Sequence, residues 1–170
     1  MAWLNPTSRN GVNATFILAA LTVLVLALSV PGSLQYVREQ GGFYLFSKAF
    51  TEDIPKRLTG PGRFRFGLQP LIAIVLGVRS GLADARTGLP PYLYGVLFHR
   101  AARGLLLRSG LITIMNLLLM GILVDSVCQW LILGISYPGP ALIVGPVLVV
   151  GPYSISRALT NRLARSRNGV

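Results

Sequence analysis

The twenty-three residues from Leu111 to Leu133 (LITIMNLLLMGILVDSVCQWLIL) contain a single charged side chain, Asp125, and restrict this chain more than any other feature. At 1.5 Å per residue a helix of that length reaches about 34 Å, enough to cross a hydrocarbon core of about 30 Å. Two further runs, Ala14–Val30 and Ala141–Ser156, carry no charge at all. Inside a bilayer each backbone amide must be satisfied internally, so runs of this kind form helices. The composition agrees: 52% of the residues are hydrophobic and 12% charged, against about 25% charged in an average soluble domain. The expectation is an all-α integral membrane protein in a single membrane domain, 1–170.

Between the runs the chain is basic. The connector 31–66 carries Arg38, Lys48, Lys56, Arg57, Arg63 and Arg65, together with Phe43, Phe46 and Phe50 at helical spacing. That spacing predicts a short amphipathic in-plane helix with three rings on one side. Gly60-Pro61-Gly62 ends it, and Arg63-Phe64-Arg65-Phe66 alternates cation and ring as an interfacial anchor does. A cleaved signal peptide competes for the first run, since Arg9 precedes it and Ala27-Leu28-Ser29 resembles a cleavage site. Cleavage would place six cations on the translocated side, against the positive-inside rule.

From Gly67 the chain is apolar as far as Val78, and again from Tyr92 to Phe98, with Gly88-Leu89-Pro90-Pro91 between. Each half is short, which favours a re-entrant or in-plane helical hairpin over 67–98 rather than two tilted spans. Gly77, Gly81 and Ala85 fall four apart and give this segment a small-residue face for close helix packing. The cation distribution then places the connector 31–66, the Arg100–Arg108 segment and the basic tail 157–170 in the cytoplasm. The Pro138 turn lies outside with the N-terminus, and three firm spans (14–30, 111–133, 141–156) join them, as in a bacterial inner membrane.

Asp125 is the most informative polar residue, because an ionised carboxylate near the middle of a span costs about 2.5 to 3.5 kcal/mol on insertion scales. It must be paired or protonated. Gln129 lies one turn further on the same face, with Cys128 beside it. Arg79 is the expected partner and Arg86 the reserve. In the last run Gly145-Pro146 and Gly151-Pro152 each remove a backbone donor, which frees the Leu142 and Leu148 carbonyls. Such breaks line cavities in transporters, or merely kink a packed helix. Asn116 is placed to donate to one of those carbonyls.

A net charge of +11 would suggest nucleic acid in a soluble protein. Here membrane topology accounts for it, and Arg63, Arg65, Arg162 and Arg165 are expected to meet anionic head groups. His99 is the sole histidine and Cys128 the sole cysteine. No metal-spaced cluster, nucleophile triad or phosphate loop occurs in the sequence, so no catalytic residue, cofactor or metal is expected. Asn13-Ala14-Thr15 matches a glycosylation acceptor but abuts the bilayer. These features favour an accessory, assembly or scaffold subunit associating with other membrane subunits or with itself. A small oligomeric transporter or channel, with a midplane site at Asp125 and the broken last helix, is the alternative.

Overall fold

The helices of this protein run on past the charges that bound its apolar runs, and most of the architecture follows from that. The computed structural model describes residues 9–167, with side chains from Asn13 to Ser166. Helix α1, Arg9–Gln40, runs straight through Pro31 and stops at Gly41, whose φ of 71° few other residues adopt. Two of its hydroxyls are satisfied along its own backbone, Thr22 donating to the Leu18 carbonyl at 2.7 Å and Ser29 to Val25 at 2.8 Å. The connector therefore begins some ten residues later than the apolar run implies.

A 3-10 turn, Tyr44–Phe46, precedes helix α2, Lys48–Thr59. Ser47 separates them, its hydroxyl accepting from the Phe50 amide at 3.3 Å as an N-cap. This cap breaks up the expected three-ring face. Phe43 and Phe46 lie outside α2 and are exposed, while Phe50 packs edge-on against Tyr44.

Helix α3, Arg65–Arg86, is continuous for 22 residues. The expected 67–98 hairpin thus has very unequal arms, since its second half is the seven-residue helix α4, Tyr92–Phe98. Helix α5 follows as Arg100–Leu133, and helix α6 as Pro138–Arg167. Four helices (α1, α3, α5 and α6) are long and apolar enough to cross a membrane. Among the described residues there is no strand.

The broadest interface joins α3 to α6. Gly77 and Gly81 sit directly on the α6 backbone, and a Cβ on either would strike it at Tyr153 or Arg157. Ala85, the third member of that stripe, is half-buried. On the other side of α6, Gly145 meets Gly121 of α5, where a Cβ on Gly145 would come within 3.0 Å of the Gly121 carbonyl carbon. The core between the helices gathers Ala73, Leu106, Ile114, Val149 and Tyr153.

The layout expected from the cations alone is not the one the helices form. Tyr44 of the connector stacks on Tyr137 of the α5–α6 turn, with ring centroids 3.9 Å apart. The connector and the Pro138 turn therefore share one end of the bundle. At the other end α4, the start of α5 and the last turns of α3 and α6 come together, as Asn161 donates to the Leu89 carbonyl at 3.1 Å. Helix α1 runs parallel to α5, Thr15 meeting Asn116, and so starts toward the end of the bundle where α6 finishes. The discrepancy arises because a 22-residue helix, rather than a re-entrant loop, separates the connector from α4.

Two glycines of α3 test the packing argument. Gly77→Val is expected to destabilise by about 1–3 kcal/mol through overpacking against α6. Gly67→Ala, where nothing lies within 4 Å, is expected to leave stability unchanged or raise it by about 0.5–1 kcal/mol through the better helix former. Thermal unfolding in detergent measures both, and equal losses would place α3 differently.

Candidate functional site: two buried ionic centres

Asp125 is 1% exposed and Gln129 fully buried. The Gln129 amide donates to Asp125 Oδ2 at 2.7 Å, and its oxygen accepts the Tyr137 amide at 3.0 Å. This places the polar patch on the side of α5 that faces the connector end. The cationic partner is neither Arg79 nor Arg86, both of which are exposed. Arg65 Nη2 lies 2.9 Å from Asp125 Oδ1, and Arg57 Nη1 lies 3.8 Å from Oδ2. The depth of Asp125 explains the difference. It sits eight residues before the end of α5, about 12 Å along the axis, where the start of α3 can reach it. Arg79 stands fourteen residues further along α3, about 21 Å away toward the opposite end.

Arg65 thus faces inward and does not serve as a head-group contact, whereas Arg63 remains exposed. The turn that delivers both arginines lies flat on α5. Gly62 has a φ of 81°, and any Cβ there would collide with Cys128 Sγ.

The charge at this centre does not balance. Two guanidiniums, which stay protonated in proteins, face one carboxylate. The contact of Arg65 with Asp125 falls outside hydrogen-bond alignment, and the nitrogens of Arg57 and Arg65 all lack an aligned acceptor while being sealed from water. Ring faces take the place of acceptors. The Arg57 guanidinium carbon lies 5.4 Å from the Phe50 centroid and 5.9 Å from Tyr44, and that of Arg65 lies 4.8 Å from Phe66. Such contacts contribute up to about 2 kcal/mol when desolvated. Asp53 stands nearby but is engaged by Lys56 at 2.7 Å, leaving an excess of one positive charge.

Tyr44 joins the connector to this centre, its hydroxyl donating to Asp53 at 2.7 Å. Burial, reinforced by that hydrogen bond, pushes the Tyr44 phenol up to about 12. Burial alone would raise Asp53, but hydrogen bonds from Lys56 and Tyr44 outweigh it and hold the carboxyl below its ordinary value.

The second centre lies at the opposite end and was not anticipated from the sequence. Arg157 of α6 grips Asp84 of α3 with two bonds, Nε to Oδ2 at 2.6 Å and Nη2 to Oδ1 at 2.9 Å. It also donates to the Tyr153 hydroxyl at 2.9 Å and to Ser109 of α5 at 3.0 Å. Its guanidinium lies 4.5 Å from the Tyr92 ring of α4. Asp84 follows Gly81 by three residues and so shares the face that packs on α6; that was the available signal. This pair is neutral and well bonded, unlike the Asp125 centre.

The remaining candidates disperse. Asn116 accepts from Thr15 of α1 at 2.6 Å, rather than serving α6. Helix α6 continues through Pro146 and Pro152 without a break. Ser126 and Ser136, whose hydroxyls lack partners, line a groove of about 400 Å3 between α1 and α5 with Val25, Leu28 and Trp130. His99 is exposed and Cys128 buried. Among the described residues no group of His, Cys, Asp or Glu could hold a metal ion. The fold and both centres are those of a helical membrane protein. Comparison with known protein families, with characterised proteins and with solved structures finds no match.

The unequal roles of the two arginines can be separated. Arg65→Met strips Asp125 of its nearest cation and is expected to cost about 3–5 kcal/mol, as removing one member of a buried pair does. Arg57→Met removes an excess buried charge and is expected to leave the unfolding midpoint unchanged or higher. If both variants unfold alike, Arg57 is no excess cation.

Proposed function

We propose that this protein is a non-catalytic accessory or scaffold subunit of a larger membrane complex. The observation that supports this most is the state of the intramembrane polar groups. Asp125 and Gln129 are packed against side chains, and the groove beside α5 is lined by neither. Asp84 and Arg157 are saturated by each other. The prolines of α6 lie within a continuous helix, and the glycine before Pro146 meets α5 rather than a cavity. Polar groups used in this way fix helix packing, whereas a relay needs groups that exchange partners.

Helix α1 supplies the surface for association. In its described part Thr22 and Ser29 are its buried residues, while Phe16, Ile17, Val23, Leu24 and Leu28 are exposed. The transporter alternative retains one supporting feature, the unpartnered Ser126 and Ser136 hydroxyls beside the α1–α5 groove.

A photo-crosslinker at Val23 is expected to capture another membrane protein, while the wild type, like Asp125→Asn, leaves proton flux in sealed vesicles at the protein-free level. An Asp125-dependent flux would replace the scaffold reading with the transporter.

The positive-inside rule orients the bundle. The connector end carries Arg38, Lys48, Lys56 and Arg63 together with Glu39, Glu52 and Asp53. The other end carries Arg86, Arg100, Arg103, Arg108, Arg162 and Arg165, and its one acid, Asp84, is already paired. We therefore place both termini on the cytoplasmic side of a membrane such as the bacterial inner membrane, which reverses the position given to the N-terminus by the cation pattern alone. Cysteines at Lys56→Cys and Gly139→Cys are expected to label from the outside and Arg165→Cys from the cytoplasm. Labelling of Lys56→Cys and Arg165→Cys from one face would overturn the four-span topology.

A further inference from the structure

Where α4 crosses the last turns of α6, a lipid-facing groove of about 150 Å3 opens between Pro91, Leu93 and Tyr94 on one wall and Ile155, Leu159 and Arg162 on the other. We propose that this groove is a binding site for one anionic phospholipid, its phosphate on Arg162 and part of an acyl chain between α4 and α6. The site does not depend on whether the chain scaffolds or transports.

The arrangement of the α6 wall carries the argument. Ile155, Leu159 and Arg162 stand at i, i+4 and i+7, a single stripe along one side of the helix. The stripe runs about 10 Å from an apolar end toward a cationic end. The cation lies toward the helix terminus and the apolar residues toward the bilayer interior. A phospholipid in that leaflet has the same polarity over the same depth, with phosphate at the interface and chain inward. Tyr94, half exposed on the opposite wall, supplies the amphipathic ring common at that level.

Charge selects the class of lipid. Two of the arginines around α4 are already committed, Arg157 to Asp84 and Arg103 to the Val96 and Leu97 carbonyls at 2.7 and 2.9 Å. The latter bonds hold the end of α4 in place and so fix the groove wall. Arg162 is exposed and, among the described residues, has no ion-pair or hydrogen-bond partner. Among the described residues no side-chain carboxylate at this end is available to compete for it, because Asp84 is the one acid there and is buried against Arg157. A zwitterionic lipid such as phosphatidylcholine would bring its own cation to a basic surface, while phosphatidylglycerol brings none.

The test uses the purified full-length chain, with phosphatidylglycerol and phosphatidylcholine titrated into detergent and bound lipid counted by native mass spectrometry. The wild type is expected to retain one phosphatidylglycerol in preference to phosphatidylcholine. Arg162→Gln is expected to weaken that retention about fivefold, the factor one cation near an anionic surface supplies. Ile155→Trp keeps the cation but fills the groove, and is expected to lose the lipid while leaving the unfolding midpoint unchanged. Lys48→Gln, an exposed cation at the far end of the bundle, is expected to behave as wild type. Equal retention of the two lipids would overturn the proposal, as would an unaffected Arg162→Gln variant. Full displacement of the lipid by inorganic phosphate at matched ionic strength would also overturn it, by showing an anion site without a chain site.

Discussion

The Arg157 guanidinium touches four helices at once: Tyr153 on its own α6, Asp84 on α3, Ser109 on α5 and the Tyr92 ring on α4. The close approach of α3 and α6 at Gly77 and Gly81 puts Asp84 within its reach, and Asp84 in turn allows an arginine to be buried one turn beyond Tyr153. Each condition requires the other. Without the glycines the helices would stand too far apart for a bidentate bond, and without the bond two charges would be stranded at a site from which water is excluded. The position of α4, and with it the groove facing α6, follows from this contact.

The two ionic centres show what burial demands of an arginine. At Asp84 the guanidinium finds carboxylate and hydroxyl oxygens in its own plane, the arrangement that makes Arg–carboxylate pairs strong and directional. At Asp125 two guanidiniums share one carboxylate whose second oxygen is partly taken by Gln129, and aromatic faces supply what oxygens do not. The first centre fastens helices to each other. The second fastens a connector to a bundle, through Tyr44 and Arg65, and the excess charge of Arg57 makes it the weaker fastening. Acidification acts on the Tyr44–Asp53 link in a known direction. Because the Asp53 carboxyl is held below its ordinary value, its contribution is complete above the ordinary carboxylate range and fades as pH falls through the lowered one.

How much of this was readable beforehand depended on whether a feature was periodic or terminal. Apolar runs and i, i+4 spacings are local, so the helices, the Gly77–Gly81 face and the juxtaposition of Asp125 with Gln129 could be drawn from the sequence. Helix ends are not local in this way, because a charge that closes an apolar run does not close the helix. Helix α1 continues past Val30 to Gln40, and α6 continues past Ser156 to Arg167. Arg157 therefore belongs to the bundle interior although it opens the basic tail in the sequence. The burial of Arg65 is hidden in the same way, since alternation with Phe64 and Phe66 marks an interfacial segment but does not say which member turns inward. The pairing of Arg65 rather than Arg79 with Asp125 depends on how far α5 lies from the connector, and no local pattern contains that distance.

Asp84 and Arg157 are separated by 73 positions in the chain. During synthesis α3 therefore emerges with its carboxylate long before the arginine that neutralises it exists. The Asp125 centre has the opposite order, since Arg57 and Arg65 are already made when their carboxylate appears. The connector end can thus assemble as soon as α5 is made, whereas Asp84 lacks its partner until α6 is made. Closure of α3 on α6 is in this sense a late event, since it waits on Arg157.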